Sequence, residues 1–178
     1  MKLFLLIALG LLALSGCVGT KYRVPGEPVS DFVHLLVKGG WGDQVDIWIY
    51  SDDCYSVVQF DAGSRKLRNS QNGRQPGLYR SLIRAMDSQG LWTMTTDSLH
   101  RDVLRAAKRQ GSSLPDVTDM NTDILAVRSS GRTMKAEFYA IEYTLEKVPE
   151  AKSLRTFYEL LQKIRKGVQV KPGAPASF

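Results

Sequence analysis

Residues 45–60, VDIWIYSDDCYSVVQF, decide the fold of this chain. Aliphatic side chains at Val45, Ile47 and Ile49 alternate with polar or aromatic ones, which is typical of a strand with one buried face. The Ser-Asp-Asp tripeptide at 51–53 favours a tight turn. The valines and aromatic residues that follow predict a return strand that ends at residue 60, so the stretch predicts an antiparallel hairpin.

Segments of the same kind lie on both sides of this hairpin. Residues 32–37 predict an earlier strand. Residues 123–128 and 133–139 predict a second hairpin around a Ser-Ser-Gly-Arg turn at 129–132. Residues 61–77 are rich in Gly, Ser, Asn and Arg and are predicted to form a polar loop.

Three amphipathic helices are predicted between and after the hairpins. Apolar residues recur at helical spacing ahead of Gly90, which suits the position just past a helix. Thr96 or Asp97 is expected to cap a second helix, and Pro149 and Glu150 are expected to open the last one. The element order predicts an α+β fold, with an antiparallel sheet of about five strands and about three helices packed mainly on one face.

The N-terminus has the three parts of an export signal. Lys2 precedes an apolar run at residues 3–14, which is shorter than the roughly 20 residues that span a bilayer as a helix. Small residues at 15–16 then precede Cys17. A positive start, a short apolar core and small residues at the cleavage site are typical of a secretory signal peptide. The plainer interpretation is an ordinary signal peptide with an incidental cysteine.

The sequence Leu14-Ser15-Gly16-Cys17 resembles the lipobox of bacterial lipoproteins. The resemblance implies cleavage before Cys17, loss of residues 1–16 as a signal peptide, and lipid attached to the cysteine sulfur. Several acyl chains on one cysteine anchor a protein stably, whereas a single chain gives marginal binding. Val18 stands where an Asp would retain such a protein at the inner membrane, so the resemblance also implies an outer-membrane location facing the periplasm if the envelope is Gram-negative.

The rest of the chain is predicted to divide into a tether, one domain and a tail. Residues 17–30 join the lipidated cysteine to a Gly- and Pro-containing segment without periodicity, which predicts a flexible tether. Residues 31–168 predict a single globular α+β domain, and residues 169–178 a disordered tail. The hairpin-and-helix plan of the domain is similar to that of small exported bacterial domains without an assigned function, and this likeness implies no site.

Composition narrows the class of protein. Of the 178 residues, 43% are hydrophobic and 24% charged, which is typical of a globular protein. There are two cysteines, so lipid on Cys17 leaves no intramolecular disulfide. Cys54 is expected to be a small buried side chain, with a redox role as the alternative. The net charge of +6 favours anionic partners, and the export signal argues against nucleic acid.

The standard signatures of catalysis and metal binding are missing from the sequence. It has no G-x-S-x-G elbow, H-E-x-x-H pair, P-loop or paired C-x-x-C motif. His34 and His100 are expected to be structural or solvated. Asp116, Asp119 and Asp123 are oxygen ligands at a short spacing that suits calcium, but they are also ordinary loop residues. No catalytic residue, metal ion or cofactor is therefore predicted.

Basic residues are the most informative feature of the predicted domain. Residues 62–86 contain six positive charges and no acidic residue. Arg101, Arg105, Lys108 and Arg109 recur at helical spacing, which places them on one face of the second helix. A solvated helix face needs no partner. The alternative is an anion-binding surface for anionic lipid headgroups, lipopolysaccharide phosphates or cell-wall polymers.

Two hypotheses for the function follow. The favoured one is a non-catalytic binding or assembly role in the envelope, with an anionic component or another envelope protein as the partner. The rival is an envelope enzyme or small-ligand-binding protein whose site is built from dispersed residues, among them Trp41, Trp48, Tyr50 and the loop arginines. A deep pocket with converging polar groups favours the rival, and a flat basic surface favours the first.

Overall fold

The structure is a computed structural model that describes residues 31–40, 42–114 and 117–169. Within these residues the strands are β1 (Phe32–Lys38), β2 (Gln44–Tyr50), β3 (Cys54–Phe60), β4 (Leu67–Arg74), β5 (Thr122–Ser129) and β6 (Arg132–Tyr139). The helices are α1 (Leu78–Ser88), α2 (Thr96–Gln110), α3 (Ile141–Lys147) and α4 (Lys152–Gly167), with a 3-10 turn at Leu91–Thr93. The predicted α+β class is confirmed.

All six described strands form one antiparallel sheet in the order β4-β3-β2-β1-β5-β6. β1 is an inner strand, and its Val33 pairs with Ile49 of β2 on one side and with Val127 of β5 on the other. Asp31, just before β1, is held on both sides as well. Its carbonyl oxygen accepts from Ser51 N (3.2 Å), and its carboxylate accepts from Ser130 N (2.9 Å). The two hairpins predicted from the sequence therefore meet on β1.

The helices pack on one face of the sheet. Alternate strand residues such as Leu35, Ile47 and Leu125 point to that face and are fully buried. Burial of each such side chain contributes about 1.5–3 kcal/mol. α4 supplies the largest apolar stripe above them, and the following side chains are 0–3% exposed: Leu154, Phe157, Leu160, Leu161 and Ile164. The prediction that the last helix is amphipathic is therefore confirmed.

The other face of the sheet carries aromatic residues, and no described helix packs on it. The His34 ring stacks on Trp48 with 3.9 Å between centroids, and Phe32 and Tyr50 lie on either side. His34 Nε2 also donates to Asp46 Oδ1 at 2.8 Å. These contacts give His34 a structural environment of the kind expected from the sequence.

The predicted polar loop at 61–77 is wrong for residues 67–74, because these form the edge strand β4. β4 pairs with β3 along its whole length, with a bulge at Gln59/Phe60. Most of its side chains are exposed on both faces, so the strand has no apolar alternation for sequence analysis to detect. A polar, exposed edge is also what discourages pairing with another chain.

The predicted start of the second helix, with Thr96 or Asp97 as its cap, is wrong by one or two residues. α2 is capped by Thr95, whose hydroxyl accepts from Ser98 N at 3.1 Å, while Ser98 Oγ accepts from Thr95 N at 2.9 Å. This reciprocal pair is a capping box in which serine stands at the usual Glu or Gln position. Thr96 bonds to the sheet instead, because its hydroxyl accepts a hydrogen bond from Glu137 N of β6 at 3.0 Å.

The end of the domain contains one more helix than predicted. Residues 141–147 form the short helix α3, which the sequence analysis left unassigned. Pro149 and Glu150 were expected to open the last helix, and this is wrong because α4 begins at Lys152. The turn between the two helices is closed by a hydrogen bond from Ala151 N to Val148 O (3.2 Å).

Carboxylates from distant parts of the chain cap two of the helices. The first N–H groups of a helix lack partners within it. Asp53, in the β2–β3 turn, accepts from Gly77 N (2.7 Å) and Tyr79 N (3.0 Å) at the start of α1. Asp102 of α2 accepts from Ser153 N (2.7 Å) at the start of α4. These bonds tie α1 to the first hairpin and α4 to α2.

Candidate functional site

The basic residues predicted on the second helix lie together on the solvent side of α2. Arg101, Arg105, Lys108 and Arg109 are all exposed, whereas Val103 on the opposite side is 2% exposed. The capping box and the apolar side of the helix fix this orientation. The sequence prediction that the four cations share one face is therefore confirmed.

The positive charges of these four residues face solvent. None of the four makes an ion pair with a residue in the described ranges. Lys108 and Arg109 belong to the last turn of α2, where a positive charge interacts favourably with the helix dipole. Leu104 lies at the edge of the same face and is 54% exposed. Exposed leucine beside unpaired cations is an arrangement found in helices that lie on membrane surfaces.

A pocket of about 720 Å³ opens on the helix-bearing side of the sheet. Its floor is a cross-strand row of Val37, Val45 and Gln59, which the strand register places side by side on β1, β2 and β3. The first residues of α3, the last turns of α4 and the loop before β5 form the walls. The floor is mainly apolar and the walls are mainly polar.

A buried ion pair lies in the wall of this pocket. Asp123 pairs with Val37 in the sheet, and its side chain is 8% exposed. Arg165 of α4 donates to Asp123 Oδ1. Burial raises the pKa of Asp123 above its ordinary value of 3.8, the nearby Arg165 charge lowers it, and Glu142 adds a smaller upward shift. Desolvation outweighs the attraction of the arginine here because the carboxyl group has lost nearly all of its water.

Charged groups of both signs surround the pocket. Glu142 of α3 accepts from Tyr158 Oη at 2.8 Å, which fixes this carboxylate beside α4. Burial and this hydrogen bond raise the pKa of Tyr158 above its ordinary value of 10.0. Lys166 and Asp119 are exposed at the rim. The arrangement suits a ligand with both a positive and a negative group, either a small zwitterion or a longer molecule that carries one group of each sign.

This pocket was not predicted from the sequence, although one signal for it exists. Asp123, Leu125 and Val127 alternate on β5, and the two aliphatic residues face the core. The pattern therefore places an aspartate on the buried face, where a carboxylate needs a partner. Neither Arg165 nor the floor residues could be identified from spacing alone, since they come from separate elements.

Two of the aromatic residues suggested for the rival site, Trp48 and Tyr50, do not line the pocket. Trp48 and Tyr50 lie on the opposite face of the sheet, and Trp41 lies outside the described residues. His100 is exposed on α2, with its ring centroid 4.9 Å from that of Phe138. Cys54 is buried at 7% exposure, as expected.

The arrangement of the described residues does not support the alternative of a calcium site. Asp119 and Asp123 both border the pocket, but Asp123 is bonded to Arg165 and Asp116 lies outside the described residues. In the ranges 31–40, 42–114 and 117–169, no three His, Cys, Asp or Glu side chains are grouped so that they could hold a metal ion. None of the described helices has both the length and the apolar character needed to cross a bilayer.

No protein-family model matches the chain, and no curated protein is significantly similar to it. The predicted signal peptide, Cys17 and the predicted tether lie outside the described residues, as does most of the predicted C-terminal tail. The function is therefore inferred from the sequence motifs and from the two surfaces described above, the basic face of α2 and the pocket.

Proposed function

We propose that the protein is a cell-envelope lipoprotein, anchored by lipid on Cys17, whose domain binds anionic envelope components through α2. The basic face of α2 carries the proposal. It presents Arg101, Arg105, Lys108 and Arg109 to solvent without ion pairs to described residues. Anionic lipid headgroups and lipopolysaccharide phosphates offer complementary charge at the surface where the anchor holds the domain. The lipobox supports the location.

The four cations provide enough energy to orient a tethered domain. Each basic residue close to an anionic membrane contributes about 1 kcal/mol, so four contribute about 4 kcal/mol. That energy corresponds to about a thousandfold in a binding constant. Insertion of Leu104 among the acyl chains adds an apolar term of up to about 2 kcal/mol. The lipid holds the protein at the membrane, and α2 decides which side of the domain faces it.

Vesicle sedimentation tests the proposal. The unlipidated protein beginning at residue 18 is mixed with vesicles of neutral lipid alone or with added anionic lipid, and its folding is checked by circular dichroism. We expect strong binding to anionic vesicles at low salt, and binding that weakens as salt screens the charges. Replacement of Arg101, Arg105 and Arg109 by glutamate should weaken binding at least about a hundredfold.

A matched variant separates a localised surface from net charge. Arg74, Arg80 and Arg84 are also exposed and lack ion pairs to described residues. Replacement of these three by glutamate changes the net charge by the same amount and should weaken binding far less. Equal binding to neutral and anionic vesicles would falsify the proposal. An equal effect of the two triple variants would show that α2 has no special role.

A further inference from the structure

The pocket combines an apolar floor with side chains that resemble the peptide group. Its volume of about 720 Å³ lies within the range of about 300–1,000 Å³ for small-molecule sites. Gln59 on the floor and Asn121 on the wall each offer an amide donor and an amide acceptor, and neither side chain hydrogen-bonds to a described residue. Gln162 of α4 and Gln169, just beyond the end of α4, add two more amides. Such a lining suits a ligand that contains peptide groups and small apolar side chains.

Two opposite charges border the pocket near α4, one on Glu142 of α3 and one on Lys166 of α4. Glu142 is held beside Tyr158, and Lys166 follows Tyr158 by eight residues on the same helix. Eight residues of α-helix rise about 12 Å. An extended peptide covers about 3.4 Å per residue. Three or four residues of an extended peptide therefore match this stretch of α4 in length.

Arg165 adds a second positive charge to the wall of the pocket. Its guanidinium group has five N–H donors, and the hydrogen bond to Asp123 uses one of them. Its side chain is 26% exposed, so the remaining donors have access to the pocket that Arg165 lines. Asp123 fixes the guanidinium in place, and a fixed guanidinium binds a carboxylate more strongly than a flexible one.

From these features we infer that the pocket binds a short peptide of three or four residues with free ends. The peptide ammonium group lies at Glu142, the peptide carboxylate lies at Lys166, and small apolar side chains cover Val37 and Val45. This binding site is separate from the basic face of α2, so each activity stands or fails independently.

The test uses the full chain in nonionic detergent micelles and a mixture of tripeptides and tetrapeptides made from alanine, valine and leucine. Saturation-transfer NMR reports which peptides bind at millimolar concentrations. We expect saturable binding of peptides with free ends, and binding about fivefold weaker for each end that is blocked by acetylation or amidation, the upper range for a solvent-exposed charge pair. Absence of saturable binding, or equal binding of free and blocked peptides, would overturn the inference.

Two pairs of variants locate the contacts. Glu142→Gln should weaken binding of peptides with a free amino end about fivefold and leave acetylated peptides unaffected. Lys166→Gln should do the same for peptides with a free carboxyl end and leave amidated peptides unaffected. Glu146→Gln on α3 and Lys163→Gln on α4 are the controls, since both residues are exposed outside the pocket.

The pattern of losses decides the outcome. These contacts would be refuted if the control variants weakened peptide binding as much as Glu142→Gln and Lys166→Gln do. They would also be refuted if the loss of binding were the same whichever end of the peptide is blocked. The α2 triple variant should bind peptides normally, and the pocket variants should bind vesicles normally. Loss of vesicle binding alone would remove the proposed function and leave the peptide site intact.

Discussion

The carboxylate of Asp53 is expected to be one of the most important single polar groups for the stability of the fold. It accepts from the N–H groups of Gly77 and Tyr79. Glycine at the N-cap of α1 has no side chain for this task. Loss of a helix cap costs about 0.5–2 kcal/mol, and a hydrogen bond to a charged group contributes about 1.5–3 kcal/mol. We therefore expect a total of about 2 kcal/mol for the capping interaction.

The backbone of Asp53 adds a second effect that a series of variants separates. Its φ of 66° lies in the left-handed region, which costs most residues about 1–2 kcal/mol and glycine almost nothing. Asp53→Ala loses the cap and incurs this strain, so we expect about 3 kcal/mol of destabilisation. Asp53→Gly loses only the cap, and Asp53→Asn keeps one acceptor and tolerates the conformation. The expected order of stability is Asn, then Gly, then Ala.

Urea unfolding measures these differences. Tryptophan fluorescence and far-ultraviolet circular dichroism give the free energy of unfolding of each variant. Asp52→Ala is the matched control, because Asp52 accepts only from Cys54 N (3.1 Å) among the described bonds and should cost under about 1 kcal/mol. A loss below about 0.5 kcal/mol for Asp53→Ala, or equal losses for Ala and Asn, would refute the capping argument.

Two further predictions concern titration. Burial raises the pKa of Asp123 above 3.8, so the folded protein binds this proton more tightly than the unfolded chain, and this contribution to stability falls as pH rises from 3.8 through the raised pKa. The difference in unfolding free energy between the wild type and Asp123→Asn should therefore fall with pH over that window in urea titrations, and a difference that rises would contradict the assignment. Hydrogen bonds from Arg132 and Trp92 lower the pKa of Asp87 below 3.8, so this carboxylate favours folding above 3.8 and the gain disappears as pH falls through its pKa. Carbon-detected NMR titration should show this downward shift and its partial reversal in Arg132→Ala; an unchanged value in that variant would argue against the contact.

Elements with one buried face were predictable from the sequence. The alternation of Val45, Ile47 and Ile49 identified β2, and the turn at 51–53 identified its hairpin. The apolar stripe of α4 was visible for the same reason, because a residue spacing that matches the element puts its apolar groups on one side. The four cations of α2 followed directly from that logic.

Elements stabilised by distant residues were not predictable. β4 has no buried face and depends on its pairing with β3. The start of α4 is set by Asp102, which is 51 residues away from Ser153 in the chain. The pocket depends on six elements that meet only after folding. Local sequence patterns do not show which distant elements come into contact, so Asp119 and Asp123 were interpreted as ordinary loop residues.

The position of β1 determines how the domain responds to mechanical load. This strand comes first among the described elements, and it has a hydrogen-bonded neighbour on each side. Under the proposed lipid anchor, membrane movement pulls on the chain just before Asp31. A pull along the strand axis loads the hydrogen bonds from β1 to β2 and to β5 together, instead of breaking them one at a time. The chain therefore enters the sheet at a point where tension is shared, and we expect the domain to unfold at higher force from this end than from a tether attached at the edge strand β6.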